Sequence, residues 1–216
     1  MPTIISIEGN IGSGKSTFIK YLKNVFDTKE VVLVPEPVNE WENIRDKDGK
    51  SMLMYFYEDQ MRNAFSFQMM AYISRLESLK KAIKENPEAK IIITERCLET
   101  DKNVFAKMLY DEGKIREVDY QIYLRWFDAF NKELTPSYHI YIQANAHVCT
   151  ERIAIRSRDG ESDIPYDYLE HCGNTHDEWL RGLSNVFVCD GSMTKEVGHP
   201  IWKKHIENIL EKTSET

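Results

Sequence analysis

The 216-residue sequence predicts an α/β fold: a five-stranded parallel sheet flanked by helices. Two observations carry this prediction. Five short runs are apolar or β-branched almost without interruption, which is typical of strands covered on both faces, and helical stretches separate them. A glycine-rich segment follows the first run directly and precedes a helix. The predicted strands are 3–8, 30–34, 90–94, 138–143 and 185–189.

Composition limits the classes of function. With 216 residues, of which 42% are hydrophobic, we expect one compact domain over residues 1–216, at most with an inserted lid. The formal charge of −7 argues against nucleic acid as a partner, because a phosphate backbone requires a basic surface. We therefore expect a small-molecule substrate.

Cysteine spacing and hydropathy predict the compartment. There is no C-x-x-C pair and no zinc-type spacing with histidine, so we expect reduced thiols at all four cysteines: Cys97, Cys149, Cys172 and Cys189. No apolar run approaches 18 residues, and no signal or transit segment precedes the first strand. The expectation is a soluble, cytoplasmic protein without a membrane partner.

The glycine-rich segment has the spacing G-x-x-x-x-G-K-[ST] of a phosphate loop, with a strand before it and a helix predicted from Ser16 to about Phe26. Glycines let successive backbone N–H groups face phosphate oxygens, and the helix N-terminus adds partial positive charge. Lys15 would reach the β- and γ-phosphates, and Ser16 would offer a hydroxyl to Mg²⁺. A turn that binds nothing is the disfavoured alternative. The predicted triphosphate-binding residues are Gly9, Asn10, Ile11, Gly12, Ser13, Gly14, Lys15, Ser16 and Thr17.

Parallel sheets bind ligands at the carboxyl ends of their strands, where Glu36 follows the second predicted strand. Pro35 and Pro37 restrict the backbone on both sides of it. A carboxylate there can take a proton from an acceptor hydroxyl during phosphoryl transfer, and it would repel a phosphate dianion. The charge favours an alcohol over a nucleoside monophosphate as acceptor, with a solvated loop glutamate as the alternative.

Two further clusters suit triphosphate chemistry. Glu95 can hold Mg²⁺ directly or through water, and the adjacent Arg96 can neutralise charge on the transferring group, unless the two form a structural salt bridge. An R-x-x-x-R-x-R cluster would suit a lid over about 152–165 that excludes water, although arginines on a helix face are often simply solvated. Its members are Arg152, Arg156 and Arg158.

The helix predicted over 61–85 carries two stripes. The first is an ordinary core face: Phe65, Met69, Tyr72, Leu76, Leu79 and Ile83. The second, about a quarter-turn away, mixes polar with small residues: Ala64, Gln68, Ala71 and Arg75. The pattern alone leaves open whether the second stripe is solvated. Other helices are predicted at about 98–111, 117–133, 146–157, 166–181 and 199–212, and a polar loop at 42–52.

Taken together, these stretches resemble the deoxyribonucleoside kinases from the first strand to about Asp190. The most specific parts are Glu36-Pro-Val-Asn-Glu-Trp41, Tyr57 with Phe67-Gln68, Arg75, Glu95-Arg96 with Asp101, and Arg152…Arg156-Ser-Arg158…Glu161…Ile164-Pro165. The resemblance implies a P-loop kinase fold with an arginine-rich lid. It also implies transfer of the γ-phosphoryl group of ATP or another nucleoside triphosphate to the 5′-hydroxyl of a deoxynucleoside in nucleotide salvage, with Mg²⁺, by a homodimer formed through helix packing.

The resemblance also implies roles for single residues. Glu36 would be the general base, with Arg96 beside it and Lys15 on the donor phosphates. Glu95 would share the Mg²⁺ site with Ser16, and the three lid arginines would cover the phosphates.

On the acceptor side, the resemblance implies that Gln68 hydrogen-bonds the base edge and that Tyr57 and Glu161 hold the 3′-hydroxyl. Aromatic side chains would pack around the base: Trp41, Phe67 and Phe105. Cys97 stands where the family usually has serine. The segment after Asp190 lacks the acidic and aromatic residues expected around a donor base, which leaves the preferred donor open.

The expected base choice follows from Arg75 and Asp101. The pair is similar to one in the base pocket of the deoxycytidine- and purine-accepting members of the family, and the thymidine-preferring members lack it. A buried carboxylate can accept from the exocyclic amine of cytosine or adenine, whereas thymine would leave it unsatisfied at a cost of about 1–3 kcal/mol. Ala71 keeps the neighbouring space small. We expect deoxycytidine, deoxyadenosine and deoxyguanosine well ahead of thymidine. The rivals are a thymidine- or nucleoside-monophosphate-directed kinase and a non-catalytic nucleotide-binding regulator.

Overall fold

A computed structural model describes residues 1–27, 29–131, 134–156 and 164–214. The sheet contains the five predicted strands in the order β2-β3-β1-β4-β5, and every neighbouring pair is parallel. The predicted α/β fold is therefore confirmed. The strands are β1 Thr3–Glu8, β2 Val31–Val34, β3 Ile91–Glu95, β4 Tyr138–Gln143 and β5 Val186–Asp190.

The strands are apolar throughout because both faces of the sheet are covered. Ile5 and Ile93 pair in register and face one core, while their neighbours Ile4 and Ile92 pair and face the other. On the first face the core includes α1 (Lys15–Leu22) and α10 (Lys195–Ser214), and on the second face α4 (Gln60–Glu85) and α7 (Glu117–Phe130). Alternating residues thus serve opposite cores, as the pleat requires.

Several helix boundaries differ from the sequence prediction. The helix α1 ends at Leu22 rather than near Phe26, α7 ends at Phe130 rather than at 133, and α10 begins at Lys195 with Pro200 inside its second turn. The stretch predicted as one helix over 98–111 is divided into α5 (Leu98–Thr100), a π-helical turn (Asp101–Ala106) and α6 (Lys107–Asp111). Such boundaries depend on tertiary packing more than on local pattern. The helices α8 (Ala146–Arg156) and α9 (Tyr166–Arg181) lie close to their predicted positions.

Two short helices flank the polar loop and were not predicted from the sequence. They are α2 (Val38–Asn43) and α3 (Met52–Glu58), so the loop predicted over 42–52 is confined to 44–51. Ser51 caps α3 by accepting a hydrogen bond from the Met54 backbone N–H at 3.3 Å. Both helices are short, and their apolar residues pack against α4 instead of forming a long periodic stripe.

The second stripe of α4 is not solvated. Its four residues are between 0% and 5% exposed, which makes it more completely buried than the apolar stripe beside it: Ala64, Gln68, Ala71 and Arg75. A buried arginine and a buried glutamine on one helix face require polar partners from other elements. This line therefore faces a polar site in the interior.

Two other predictions concern the cysteines and the hydropathy of the helices. All four cysteines are free and buried, as expected for reduced thiols. Within the described ranges, no helix combines the length and apolar character needed to cross a bilayer.

Candidate active site

A single cavity of about 540 Å³ extends from the phosphate loop to the buried polar line of α4. Its walls include residues that follow β1, β2 and β3, because the carboxyl ends of these adjacent parallel strands open onto the same edge of the sheet. The volume lies within the range of small-ligand sites. Residues that the sequence assigned separately to a donor and to an acceptor therefore share one space.

The loop after β1 depends on glycine. Gly9, Gly12 and Gly14 have φ angles of 142°, 80° and 110°, which side-chain-bearing residues rarely adopt. A Cβ on Gly9 would also lie 2.5 Å from the backbone oxygen of Ile142. Asn10 supports the loop from below, because its Nδ2 donates to the Leu169 backbone oxygen at 2.7 Å. Gly9 and Asn10 form the base of the loop, and the residues from Ile11 to Thr17 line the cavity.

Lys15 is buried at the start of α1. Its Nζ donates to the backbone oxygens of Gly9 at 3.0 Å and Asn10 at 2.7 Å. Burial and the nearby Arg96 guanidinium lower the pKa of Lys15 to about 8. The ammonium is thus held by its own loop at a position from which it can move to a phosphate oxygen.

Ser16 and Glu95 meet across the site, where the Ser16 hydroxyl donates to Glu95 Oε1 at 2.5 Å. Hydroxyl and carboxylate oxygens are the ligands that Mg²⁺ prefers beside phosphate oxygens and water. The pair lies between the phosphate loop and the end of β3, so its donor atoms fit a magnesium ion bound beside a triphosphate.

Glu36 lies between its two prolines at the end of β2 and binds two guanidinium groups. Its Oε1 and Oε2 accept from Arg96 Nη1 at 2.7 Å and 3.0 Å, and Oε1 also accepts from Arg75 Nη2 at 3.0 Å. Burial raises the pKa of Glu36, but the charges of Arg96 and Arg75 outweigh it and hold the pKa at about 2. The carboxylate is ionised and oriented.

Arg96 adopts a left-handed backbone conformation with φ of 61°, which is uncommon outside glycine. Its backbone N–H donates to the Ile7 oxygen at 3.0 Å, and its guanidinium carbon lies 5.0 Å from the centre of the Phe105 ring. Backbone strain of this kind persists only where surrounding contacts hold it and is frequent at functional sites. Here it turns the side chain back towards Glu36.

Arg75 connects Glu36 after β2, the end of β3 and Asp101 of the π-helical turn through one guanidinium. Its Nε and Nη2 donate to the two carboxylate oxygens of Asp101 at 2.9 Å and 3.3 Å, and its Nη1 donates to the Glu95 backbone oxygen at 2.7 Å. Gln68 lies about two turns away on α4, is 2% exposed, and its Oε1 has no hydrogen-bond partner among the described residues. An unsatisfied buried amide beside a cavity is in position to bind a polar ligand edge.

Aromatic side chains form the walls of this part of the cavity. Phe67 stacks on Phe56 with ring centres 4.3 Å apart and meets Trp41 edge-on at 5.6 Å. The Trp41 Nε1 donates to Ser74 Oγ at 2.8 Å, which fixes the indole. The remaining predicted acceptor residues also line the cavity: Tyr57, Ala71 and Phe105.

The arginine cluster is partly described. Arg152 and Arg156 line the cavity beside the phosphate loop, and Arg152 Nη1 donates to the Ser13 backbone oxygen at 2.9 Å. The predicted roles of Arg158 and Glu161 lie outside the described residues.

Sequence reasoning missed several lining residues. At the acceptor end they are Val38, Leu53, Phe56 and Tyr168, and at the opposite end Lys20, Ile155, Met193, Lys195, His199 and Trp202. Leu53 and Phe56 are three residues apart, a helical spacing that could have marked an inward face beside Tyr57. His199 and Trp202 reach the cavity only because α10 packs against α1, and no local signal marks them.

Comparison with known proteins agrees with this geometry. Residues 5–215 match the family model described as deoxynucleoside kinase. Human deoxycytidine kinase is 37% identical, over 98% of this chain and 89% of that protein. The putative kinase protein 029R of Invertebrate iridescent virus 3 is 32% identical over 91% of this chain and 92% of its own length, and human mitochondrial thymidine kinase 2 is 30% identical over 97% and 74%. The chain belongs to the deoxynucleoside kinase family.

Proposed function

We propose that this ATP-dependent deoxynucleoside kinase favours deoxycytidine and purine deoxynucleosides over thymidine. The observation that carries the proposal is the buried Arg75–Asp101 pair. It lines the same cavity as the phosphate loop and as Gln68, whose amide oxygen has no hydrogen-bond partner in the part of the chain that the structure describes. Arg75 donates one hydrogen bond to each carboxylate oxygen of Asp101, and each oxygen has a further lone pair that suits another donor such as an exocyclic amine. Thymine carries a carbonyl and a methyl group at that edge.

In the proposed reaction Glu36 accepts a hydrogen bond from the 5′-hydroxyl and receives its proton. With a pKa of about 2 the carboxylate is a weak base, and its contribution is mainly to orient the attacking oxygen. This suits phosphoryl transfer through a loose transition state, in which positioning and charge stabilisation dominate. Arg96, hydrogen-bonded to Glu36 at 2.7 Å, then stabilises charge on the transferring group, and Lys15 binds the donor phosphates.

Ser16 and Glu95 are the proposed magnesium-binding residues, supported by their hydrogen bond of 2.5 Å at the mouth of the phosphate loop. When bound, the ion would neutralise charge on the β- and γ-phosphates. Arg152 and Arg156 are proposed to close over the phosphates as part of the lid, since both line the cavity at this end.

A substrate panel tests the proposal. The four deoxynucleosides and their monophosphates are assayed with ATP and Mg²⁺, and we expect kcat/KM for thymidine at least about tenfold below that for deoxycytidine, from the loss of one buried hydrogen bond. Thymidine as the best of the four would overturn the base preference, and preferred phosphorylation of a monophosphate would overturn the alcohol acceptor.

The role of Glu36 is tested with Glu36→Gln and the exposed Glu40→Gln as a matched control on the same segment. We expect kcat to fall by about 10²–10⁴ in the first variant, the usual range for an acid–base group, with little change in ATP binding. The control should leave kcat unaltered. An unchanged kcat in Glu36→Gln would remove its assignment as the base.

We further propose a homodimer that packs through α7. Four apolar residues at every fourth position of this helix are 41% to 65% exposed and form a continuous exposed stripe: Val118, Ile122, Trp126 and Phe130. A two-fold dimer would bury the stripe of each copy against the other. Sedimentation should give a dimer that Trp126→Asp dissociates and that Val25→Asp, at a comparably exposed site, does not. A monomer at micromolar wild-type concentration would contradict the proposal.

A further inference from the structure

Glu8 is a fully buried carboxylate at the end of β1, immediately before the phosphate loop. Among the residues that the structure describes, the groups that donate hydrogen bonds to it are hydroxyls: Ser6 Oγ donates to Oε1, and Thr100 Oγ1 donates to Oε2 at 2.7 Å. Burial by itself raises the pKa of Glu8, but the neighbouring His139 and the hydroxyl hydrogen bonds hold it below its usual range. An ionised, buried carboxylate bound by hydroxyls is costly unless each contact is kept.

Thr100 is the point where this carboxylate reaches the acceptor pocket. Its Oγ1 also accepts from the backbone N–H of Cys97 at 3.1 Å, so one hydroxyl binds β1 and the turn after β3 together. That turn contains Arg96 in its left-handed conformation. Asp101 follows Thr100 directly and begins the π-helical turn that also carries Phe105.

The two contacts of Glu8 therefore differ in what they hold. Ser6 lies on the same strand, two residues away. Its hydrogen bond to Glu8 therefore joins two positions of β1 and includes no residue of the acceptor side. Thr100 is 92 residues away in sequence and belongs to the segment between Arg96 and Asp101. Removal of either hydroxyl takes one comparable hydrogen-bond donor from the carboxylate. Only removal of the Thr100 hydroxyl also breaks the contact between β1 and the acceptor segment, which runs from Arg96 to Asp101.

We propose that Glu8 and Thr100 form a positioning pair that holds the acceptor pocket in register with the phosphate loop. Neither residue lines the cavity, so both act through Arg96 and Asp101 rather than on the substrate. The proposal rests on the assignment of this pocket to the deoxynucleoside. It adds that the hydrogen bond from Thr100 sets deoxynucleoside affinity without setting ATP affinity.

The test compares Thr100→Val, which keeps the shape and removes the hydroxyl, with Ser6→Ala and Thr100→Ser. Both hydroxyl deletions should lower Tm, because each leaves one oxygen of the buried carboxylate unpaired. At a temperature where all variants are folded, Thr100→Val should raise KM for the preferred deoxynucleoside by about tenfold, the usual effect of losing such a contact, and change KM for ATP less than about twofold. Ser6→Ala should leave both KM values within about twofold, and Thr100→Ser should restore the deoxynucleoside KM.

Equal KM changes in Thr100→Val and Ser6→Ala would overturn the proposal, since both would then reflect only a buried carboxylate with a missing partner. A rise in KM for ATP as large as that for the deoxynucleoside would overturn it as well. If Thr100→Val does not fold, Thr100→Cys, a weaker donor of similar size, should raise the deoxynucleoside KM above that of Thr100→Ser; equality of the two contradicts the pairing. A wild-type protein inactive on every deoxynucleoside would instead refute the proposed substrate, so the two failures are distinct.

Discussion

Asp101→Asn is the sharpest probe of base recognition, because it removes a charge with almost no change of shape. Asp101 accepts from Arg75 Nε at 2.9 Å and from Nη2 at 3.3 Å. An asparagine amide has one oxygen and one NH₂ group, so one of these two donors would face another donor. Arg75 keeps its contacts to Glu36 and to the Glu95 backbone oxygen, which limits the disruption of the site.

The loss of one hydrogen bond to a charged, buried group is worth about 1.5–3 kcal/mol. If Asp101 also accepts from the exocyclic amine of the base, kcat/KM for deoxycytidine and deoxyadenosine falls by about 10- to 100-fold, since each 1.36 kcal/mol is tenfold in rate. Thymidine presents no amine there, and its kcat/KM should change by less than about threefold. The ratio of kcat/KM for deoxycytidine to kcat/KM for thymidine should therefore decrease.

The measurement is steady-state phosphorylation of each deoxynucleoside at saturating ATP and Mg²⁺, at a temperature where the variant is fully folded. Asp128→Asn, on the mostly exposed surface of α7, is the matched control and should leave all four values unchanged. An equal loss of kcat/KM for all four bases would refute base recognition by Asp101. In that case the pair with Arg75 would serve only to hold the pocket together.

Three further predictions concern the donor end. Lys15 has a pKa of about 8 without nucleotide and must be charged to bind phosphate. Calorimetry should therefore show a Kd for ATP that is constant below about pH 7.5 and rises above pH 8 by up to about tenfold per pH unit. A Kd that stays constant to pH 9.5 would contradict this. Gly9→Ala should abolish ATP binding and destabilise the fold by more than about 1–3 kcal/mol, because its Cβ would lie 2.5 Å from the Ile142 backbone oxygen. The control Gly113→Ala, with φ of 72° and no atom within 4 Å of the new Cβ, should cost only the backbone strain. An equal decrease in the free energy of unfolding of the two glycine variants, measured by denaturant unfolding, would disprove the steric argument. Ser16→Ala should raise the Mg²⁺ concentration for half-maximal activity by about tenfold or more, and an unchanged Mg²⁺ titration would exclude this serine as a ligand.

The strands and the phosphate loop were predictable because their signals are local. The loop needs particular glycines at fixed spacing, and buried parallel strands need unbroken apolar runs, so both patterns are present within a few consecutive residues. The family resemblance rests on the same kind of ordered motif, and the match over residues 5–215 confirms it.

The second stripe of α4 shows where local pattern is insufficient. Arg75 and Gln68 on one helix face are compatible with solvent, and contacts with Asp101, Glu36 and the Glu95 backbone oxygen make burial of the arginine favourable. The π-helical turn within the helix predicted over 98–111 also coincides with a tertiary contact. Thr100 donates a hydrogen bond to Glu8 of β1 immediately before the π-helical turn begins. A contact with a residue distant in sequence therefore lies where the helix type changes.

The sequence by itself determined the α/β class, the strand sites, the phosphate loop and the identity of the charged residues at the strand ends. Those features follow from glycine conformation, strand burial and side-chain chemistry at fixed spacing. The tertiary structure alone decided that the guanidinium of Arg75 joins Asp101, Glu36 and the end of β3, and that one carboxylate beneath the phosphate loop also binds the acceptor segment. The physical reason is that these hydrogen bonds join residues 20 to 92 positions apart. Their geometry depends on the register of the parallel strands, which no local pattern encodes.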